Sequence, residues 1–292
     1  MTPWKAKAER GSAWLIRLIA WLARTVGRPF CRALLYPIVL YFVITDGTAR
    51  RGSREFLTLA RGRPATWHDV FRNIHAFACT LLDRVYMAGG EFHRFRVTIA
   101  GASLVSDALS DGKGCLLLGS HLGSFDLMML ANQALNREPV SILMNLDPRA
   151  RVRKIAGIDD DGPSIIPTGR PDSLLRAYEV LESGGLLAAL ADRVDGASAS
   201  LTARFFDRPA SFPLAPHVLA ARAGAPVLMC FGIYEGGSSY RIEFVDFGPP
   251  AGKGSRGAAL QPVVDRYAVL LEQFARRYPD NWFNFYPYWG MP

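Results

Sequence analysis

One stretch, residues 114–131, constrains the fold more than any other part of the chain. Its first apolar run, residues 115–118, lies between glycines and predicts a short buried strand. A polar turn follows, and the dense apolar run at residues 127–131 then predicts a buried helix. A strand, a turn and a helix in this order are typical of α/β proteins, whose functional residues gather at the carboxyl edge of the sheet. The sequence therefore predicts a site at this turn.

The turn carries His121 and Asp126, with four residues between them. If Ser124 caps the helix, Asp126 lies in its first turn, where free N–H groups and the helix dipole stabilise a carboxylate. Gly123 permits the bend that brings the two side chains together. A carboxylate that accepts a hydrogen bond from one imidazole nitrogen leaves the other nitrogen to take a proton from a hydroxyl. We predict His121 as a general base oriented by Asp126. The alternative is that Asp126 only caps the helix and that His121 only stabilises a loop through hydrogen bonds.

The segment His-Leu-Gly-Ser-Phe-Asp at 121–126 resembles the H-x4-[D/E] signature of the lysophospholipid acyltransferase superfamily, in its bacterial late lipid A acyltransferase branch. Asp192-Arg193, residues 205–216 and residues 225–228 resemble later blocks of that family, in the same order. The resemblance implies an α/β fold with a mixed, mostly parallel central sheet flanked by helices. It also implies transfer of a fatty acyl or polyene acyl group from a thioester to a hydroxyl of a lipid or glycolipid.

The chain differs from that pattern at three places. The lipid A branch usually ends its first motif in Glu, where this chain has Asp126. The third block usually has a glycine where this chain has Ala215, and glycine lets the backbone approach a phosphate closely. The aromatic residues at 282–289 are more similar to relatives associated with aryl-polyene lipids. Such a cluster predicts either the lining of an acyl tunnel or ordinary core packing.

Six residues are assigned to substrate binding, and the reasons differ. A charged pair such as Asp192-Arg193 at the end of a buried strand is costly unless it is paired or functional; a structural ion pair is the alternative. Arg193 is expected to contact the donor phosphate or the oxyanion. Arg149 begins a basic cluster that either faces solvent or contacts phosphate. The remaining three are Ser120, Ser124 and Phe212. No metal or redox cofactor is implied.

The N-terminal residues predict a membrane-associated segment. Apolar residues recur with a helical period over 14–26, and a second apolar run covers 33–45 but contains Pro37. At about 1.5 Å per residue the second run reaches only ~20 Å, short of a ~30 Å hydrocarbon core. We therefore predict residues 1–45 as helices that lie on the cytoplasmic face of the inner membrane, peripheral or monotopic, and 46–292 as the acyltransferase domain. Two ordinary helices packed on the domain are the alternative.

The formal net charge of +8 predicts an anionic partner: lipid headgroups, an acidic carrier protein or nucleic acid. No segment resembles a nucleic-acid-binding motif, so nucleic acid is not expected. We expect an acyl-carrier protein or acyl-CoA as the donor, and we favour the carrier protein because it is acidic and because the family branch that the chain resembles tends to use it. The four cysteines are scattered and predict buried thiols in a reducing compartment. Two rival functions are a hydrolase on the same scaffold and a non-catalytic protein of the membrane surface.

Periodicity predicts the other elements. His75 lies in an apolar helical pattern and is expected to be a core or lining histidine, while residues 46–66 are expected to form a surface loop or helix. The remaining predictions are strands at 95–100, 140–144, 165–166, 186–190 and 240–244, and helices at 171–182 and 260–274.

Overall fold

The structure, a computed structural model, describes residues 25–125, 139–144, 164–194 and 198–289. These residues form two compact units. One contains residues 25–95 and 275–289, and the other contains the described residues between 96 and 274. The predicted boundary at residue 45 stays a prediction, because it depends on contact with a membrane.

Seven strands of the second unit form one sheet. They are β1 (Arg96–Ala100), β2 (Cys115–Gly119), β3 (Val140–Met144), β4 (Ile165–Pro167), β5 (Leu186–Leu190), β8 (Val227–Gly236) and β9 (Ser239–Asp246). Their order in the sheet is β1-β9-β8-β2-β5-β3-β4. Neighbouring strands run parallel, except that β8 and β9 are antiparallel. The predicted mixed, mostly parallel sheet is therefore confirmed.

The middle of this sheet is made of the most apolar strands. All five residues of β2 are buried, and four of the five residues of β5 are buried. A strand that is covered on both faces carries a continuous apolar run, and this is why periodicity identified both. Within the second unit the helices are α4 (Ala102–Leu109), α5 (Ser173–Glu182), α6 (Ala215–Ala223) and most of α7 (Gln261–Arg277). The helix predicted at 127–131 lies outside the described residues.

A separate antiparallel hairpin joins β6 (Ser200–Phe205) to β7 (Arg208–Pro213). Its two turn residues, Phe206 and Asp207, both have positive φ angles, of 53° and 59°. Two-residue hairpin turns of this kind favour Asn-Gly or Asp-Gly, because most side chains are strained there. The Phe206 N–H donates to the Glu272 carboxylate at 2.5 Å, which holds the turn against α7.

The first unit contains the helices α1 (Arg28–Thr45), α2 (Gly47–Arg61) and α3 (Trp67–Ala88). A reciprocal cap starts α3: the Thr66 hydroxyl accepts from the Asp69 N–H, and the Asp69 carboxylate accepts from the Thr66 N–H. The predicted surface loop or helix at 46–66 is mostly the helix α2.

The C-terminal aromatic residues pack into this same unit. Trp282 is fully buried and stacks on Phe56 with 5.2 Å between ring centroids. Phe77 contacts Phe283 and Phe285 at 5.2 and 5.0 Å. These contacts are core packing, the second of the two alternatives for the aromatic cluster.

Candidate active site

The ends of two neighbouring strands position the site. β2 and β5 are parallel, and Gly119 pairs with Leu190 at their carboxyl ends. The residues that follow them therefore leave the sheet at the same edge. The Gly119 carbonyl accepts hydrogen bonds from the Tyr267 hydroxyl at 2.9 Å and from the Ala191 N–H at 3.1 Å. The end of β2 is thus fixed both to α7 and to β5.

His121 contacts the Asp192 carboxylate at this edge. Its Nδ1 lies 2.9 Å from Oδ1 and 3.1 Å from Oδ2 of Asp192. The His121 backbone N–H also donates to Oδ2, at 3.0 Å. Asp192 is fully buried, whereas 31% of the His121 side chain is exposed. One buried carboxylate therefore fixes the ring and the main chain of the histidine together.

Asp192 is held in its ionised form. Burial raises the pKa of this carboxyl, but the positive charges of His121 and Arg193 and the hydrogen bonds from His121 outweigh it, so its pKa lies below the ordinary value. An ionised carboxylate accepts from Nδ1–H, so a neutral imidazole keeps its lone pair on Nε2. Within the described residues, Nε2 has no hydrogen-bond partner. The buried carboxylate therefore orients one nitrogen of the imidazole ring.

Main-chain contacts hold the turn after β2 against β8. Gly123 has a φ of +78°, and a Cβ added there would lie 2.3 Å from the Gly232 carbonyl oxygen. The next residue, Ser124, donates its N–H to that oxygen at 2.7 Å. Ser120 is buried, and its hydroxyl accepts from the Leu122 N–H at 3.2 Å. Only glycine combines this φ with so close an approach, so the turn that carries His121 is fixed on β8.

Some predicted site residues are placed by the structure and others are not. Asp126 and Arg149 lie outside the described residues, so their roles stay predictions. Arg193 follows Asp192 directly and is half-buried. Phe212 is fully buried in the hairpin, with its ring 5.6 Å from the ring of Tyr267. The substrate-binding roles of these residues also stay predictions.

The contact between His121 and Asp192 was not predicted. Asp192 was expected in substrate binding or in a structural ion pair, and the orienting role was expected of Asp126 alone. A signal was present, because two buried strands each end two residues before a titratable residue. What the sequence does not give is that β2 and β5 are neighbours in the sheet.

The cysteines of the chain are free and buried, as predicted. Burial raises the pKa of the Cys115 thiol to about 12, and it raises the pKa of Cys230 as well. A thiol needs its thiolate form to act as a nucleophile, so these two are inert at neutral pH. Among the residues that the structure describes, no group of three or more His, Cys, Asp or Glu side chains could hold a metal ion.

An imidazole paired with a buried carboxylate thus lies at the carboxyl edge of an α/β sheet, where proteins of this fold class place their functional groups. The model of the bacterial lipid A biosynthesis acyltransferase family matches residues 71–290, which is most of the chain. The chain therefore belongs to this family, and the protein is an acyltransferase. A search of curated proteins found no match.

Proposed function

We propose that the protein transfers a fatty acyl or polyene acyl group from a carrier thioester to a hydroxyl of a lipid or glycolipid, with His121 as the general base. The observation that carries this proposal is the contact between His121 Nδ1 and Asp192 at the carboxyl edge of the sheet, 2.9 Å long. Family membership supports acyl transfer in general. The donor, the acceptor and the residue roles are parts of the proposal.

The reaction needs no covalent enzyme intermediate. Nε2 of His121 takes the proton from the acceptor hydroxyl, and the oxygen attacks the thioester carbonyl. The tetrahedral intermediate then collapses, the carbon–sulfur bond breaks, and the imidazolium returns its proton to the leaving thiolate. The ester and the free thiol are the products. The buried thiols Cys115 and Cys230 take no part in this scheme.

Charge around the histidine supports the same roles. Ionised Asp192 stabilises the imidazolium that forms during the reaction, and it keeps the ring in one orientation. Arg193, the residue after Asp192, is a cation suited to the oxyanion or to the phosphate of the donor. Asp126 remains a predicted second carboxylate near the ring. Ser120, Ser124, Arg149 and Phe212 remain predicted substrate contacts, and Ser120 also supports the turn.

Charge and surface support a donor and a location. The net charge of +8 is compatible with an acidic acyl-carrier protein as the donor. Among the described residues, α1 is the one helix that is long and apolar enough to cross a membrane, judged by length and composition alone. Arg28 and Arg32 on α1 form ion pairs with the buried Asp83 of α3, so the face of α1 that carries these two arginines packs against α3. This favours a peripheral position on the cytoplasmic face of the inner membrane over a spanning one.

Product analysis tests the proposal. The purified protein is incubated with acyl-carrier-protein or acyl-CoA thioesters, with and without lysolipid or glycolipid acceptors, and the products are identified by mass spectrometry. We expect an acylated acceptor, formed by the wild type and by a control His93→Ala variant but not by His121→Ala. Circular dichroism shows whether the variants are folded. Release of free fatty acid regardless of the acceptor would indicate the rival hydrolase, and a folded His121→Ala variant that still transfers would refute the base.

A further inference from the structure

A buried tyrosine hydroxyl on α7 contacts the strand end that carries the proposed base. Tyr267 is fully buried, and its hydroxyl donates to the Gly119 carbonyl oxygen at 2.9 Å. Gly119 is the last residue of β2 and lies two positions before His121. A buried tyrosine needs a partner for its polar end. In this protein the partner is a main-chain atom next to the site and not a side chain elsewhere in the core.

The Gly119 carbonyl lies where the strands that carry His121 and Asp192 are joined. It also accepts from the Ala191 N–H at 3.1 Å, and Ala191 directly precedes Asp192. A carbonyl oxygen has two lone pairs, so it can accept from both donors at once. Tyr267 therefore binds an atom through which the end of β2 is joined to the residue before Asp192.

The turn that carries His121 is held at both of its ends. At the far end, the Ser124 N–H donates to the Gly232 carbonyl oxygen of β8 at 2.7 Å. At the start, the Tyr267 hydroxyl holds Gly119. A side chain that acts in catalysis has to be held within about 0.5 Å of its productive position. Loss of either contact would therefore let the main chain at His121 shift.

Aromatic packing holds the Tyr267 ring independently of its hydroxyl. The ring of Phe212 lies 5.6 Å away at an interplanar angle of 74°, and the ring of His217 lies 5.9 Å away at the same angle. Both neighbours are buried. Edge-to-face contacts of this kind depend on the ring and not on the hydroxyl. Phenylalanine at this position would thus keep the packing and lose the hydrogen bond to β2.

We propose that Tyr267 is a positioning residue for acyl transfer. Acting through the Gly119 carbonyl, it keeps His121 aligned with Asp192. Without the hydroxyl, that carbonyl still accepts from the Ala191 N–H, so the fold is preserved while the alignment of the pair relaxes. This role rests on the proposed function, because a residue that positions a base affects the rate only if His121 is that base.

Steady-state kinetics of Tyr267→Phe test this role. The turnover number kcat, expressed per folded molecule, should fall about tenfold, because a displacement of a fraction of an ångström misaligns the base. KM should stay within about twofold of the wild-type value, because binding of the substrate in its ground state is unchanged. The midpoint of thermal unfolding should fall by no more than about 5 °C.

Two variants of the same unit serve as matched controls. Phe274 follows Tyr267 by two helical turns on α7, and its ring stacks on Phe231 of β8 with 4.3 Å between centroids. Phe274→Leu should lower the unfolding midpoint at least as much as Tyr267→Phe does, yet keep the wild-type kcat. Tyr178→Phe removes a hydroxyl that is bonded to Glu182 on α5, and it should keep both kcat and KM.

A double variant separates positioning from a general structural role. In an Asp192→Asn background the ring of His121 is already misaligned. Adding Tyr267→Phe to that background should therefore lower kcat by less than about twofold further. A residue that only stabilised the fold would lower the rate by the same factor in both backgrounds.

Two kinds of result would overturn the role of Tyr267. With an inactive His121→Ala variant, a wild-type kcat in Tyr267→Phe, or a tenfold loss that recurs in full in the Asp192→Asn background, would refute the positioning alone and leave the proposed function intact. A folded His121→Ala variant that still transfers would refute the proposed base, and the positioning of that base with it.

Discussion

The strand β2 and the helix α1 are both rich in large apolar residues, yet they use them in opposite ways. All five residues of β2 are buried at the middle of the sheet. In α1, by contrast, Leu40 is 52% exposed and Ile44 is 61% exposed. Burial of apolar surface stabilises a fold only where water is excluded within the protein. The apolar residues of β2 therefore stabilise the sheet that positions His121, whereas the exposed apolar residues of α1 do not stabilise the fold in this way.

The largest expected contrast is in stability. Leu118→Ala in β2 removes a fully buried side chain and should lower the free energy of unfolding by about 2–5 kcal/mol. Leu40→Ala, at an exposed position of α1, should change it by no more than about 0.5 kcal/mol. Urea unfolding in detergent-free buffer measures both. Equal losses at the two positions would mean that α1 is covered by protein in solution.

A second prediction concerns the turn that carries His121. Gly123→Ala forces a side chain into a left-handed backbone conformation and against the Gly232 carbonyl, so it should destabilise the protein by more than about 2 kcal/mol. Gly254→Ala is the matched control, because its φ is +88° but a Cβ there would meet nothing within 4 Å. At Gly254 the free energy of unfolding should fall by only about 1–2 kcal/mol, the cost of a side chain in the left-handed conformation. Equal losses would show that the contact with β8 is not what fixes the turn.

A third prediction uses pH to compare a buried histidine of the sheet-containing unit with an exposed histidine of the other unit. Burial of His217 on α6 lowers its pKa to about 4. Its Nε2 has no hydrogen-bond partner among the described residues. Since the unfolded chain takes up this proton near pH 6.5 and the folded protein only near pH 4, the free energy of unfolding falls as the pH drops through that window.

The size of the pH effect can be measured directly. Between pH 7 and pH 5, His217 should account for a loss of about 2 kcal/mol. His217→Leu should remove this part of the pH dependence, and His68→Leu, at an exposed position, should leave it in place. Urea unfolding at the two pH values gives the comparison. If the His217→Leu variant loses as much stability as the wild type, the histidine is not buried as the structure has it.

Much of the sheet was predictable from the sequence, because buried parallel strands are continuous apolar runs between turn residues. The strands at 140–144, 165–167 and 186–190 were found in this way. The hairpin of β6 and β7 was not, since its turn residues Phe206 and Asp207 are unusual at positive φ and depend on Glu272. A local sequence pattern does not show that a distant residue, here Glu272, stabilises the turn.

The site was predictable only in part, for a related reason. The position of His121 follows from a local pattern of strand, glycine and helix. Its partner Asp192 is 71 residues away in sequence, and they meet only because β2 and β5 are neighbours. The hydrogen bond from Tyr267 to Gly119 likewise depends on how α7 packs on the sheet. Sequence patterns thus identify the elements, while the pairings of residues across them require the fold.

The most direct test of the central claim is a double-mutant cycle on His121 and Asp192, read as the turnover number for acyl transfer. His121→Ala should lower it by a factor on the order of 10²–10⁴, and Asp192→Asn, which misaligns the ring, by a factor on the order of 10². Because the two residues act as one unit, the double variant should be no slower than His121→Ala alone. Asp126→Asn serves as the comparison for the other predicted carboxylate. An Asp192→Asn variant with the wild-type rate, or losses that multiply in the double variant, would contradict the account.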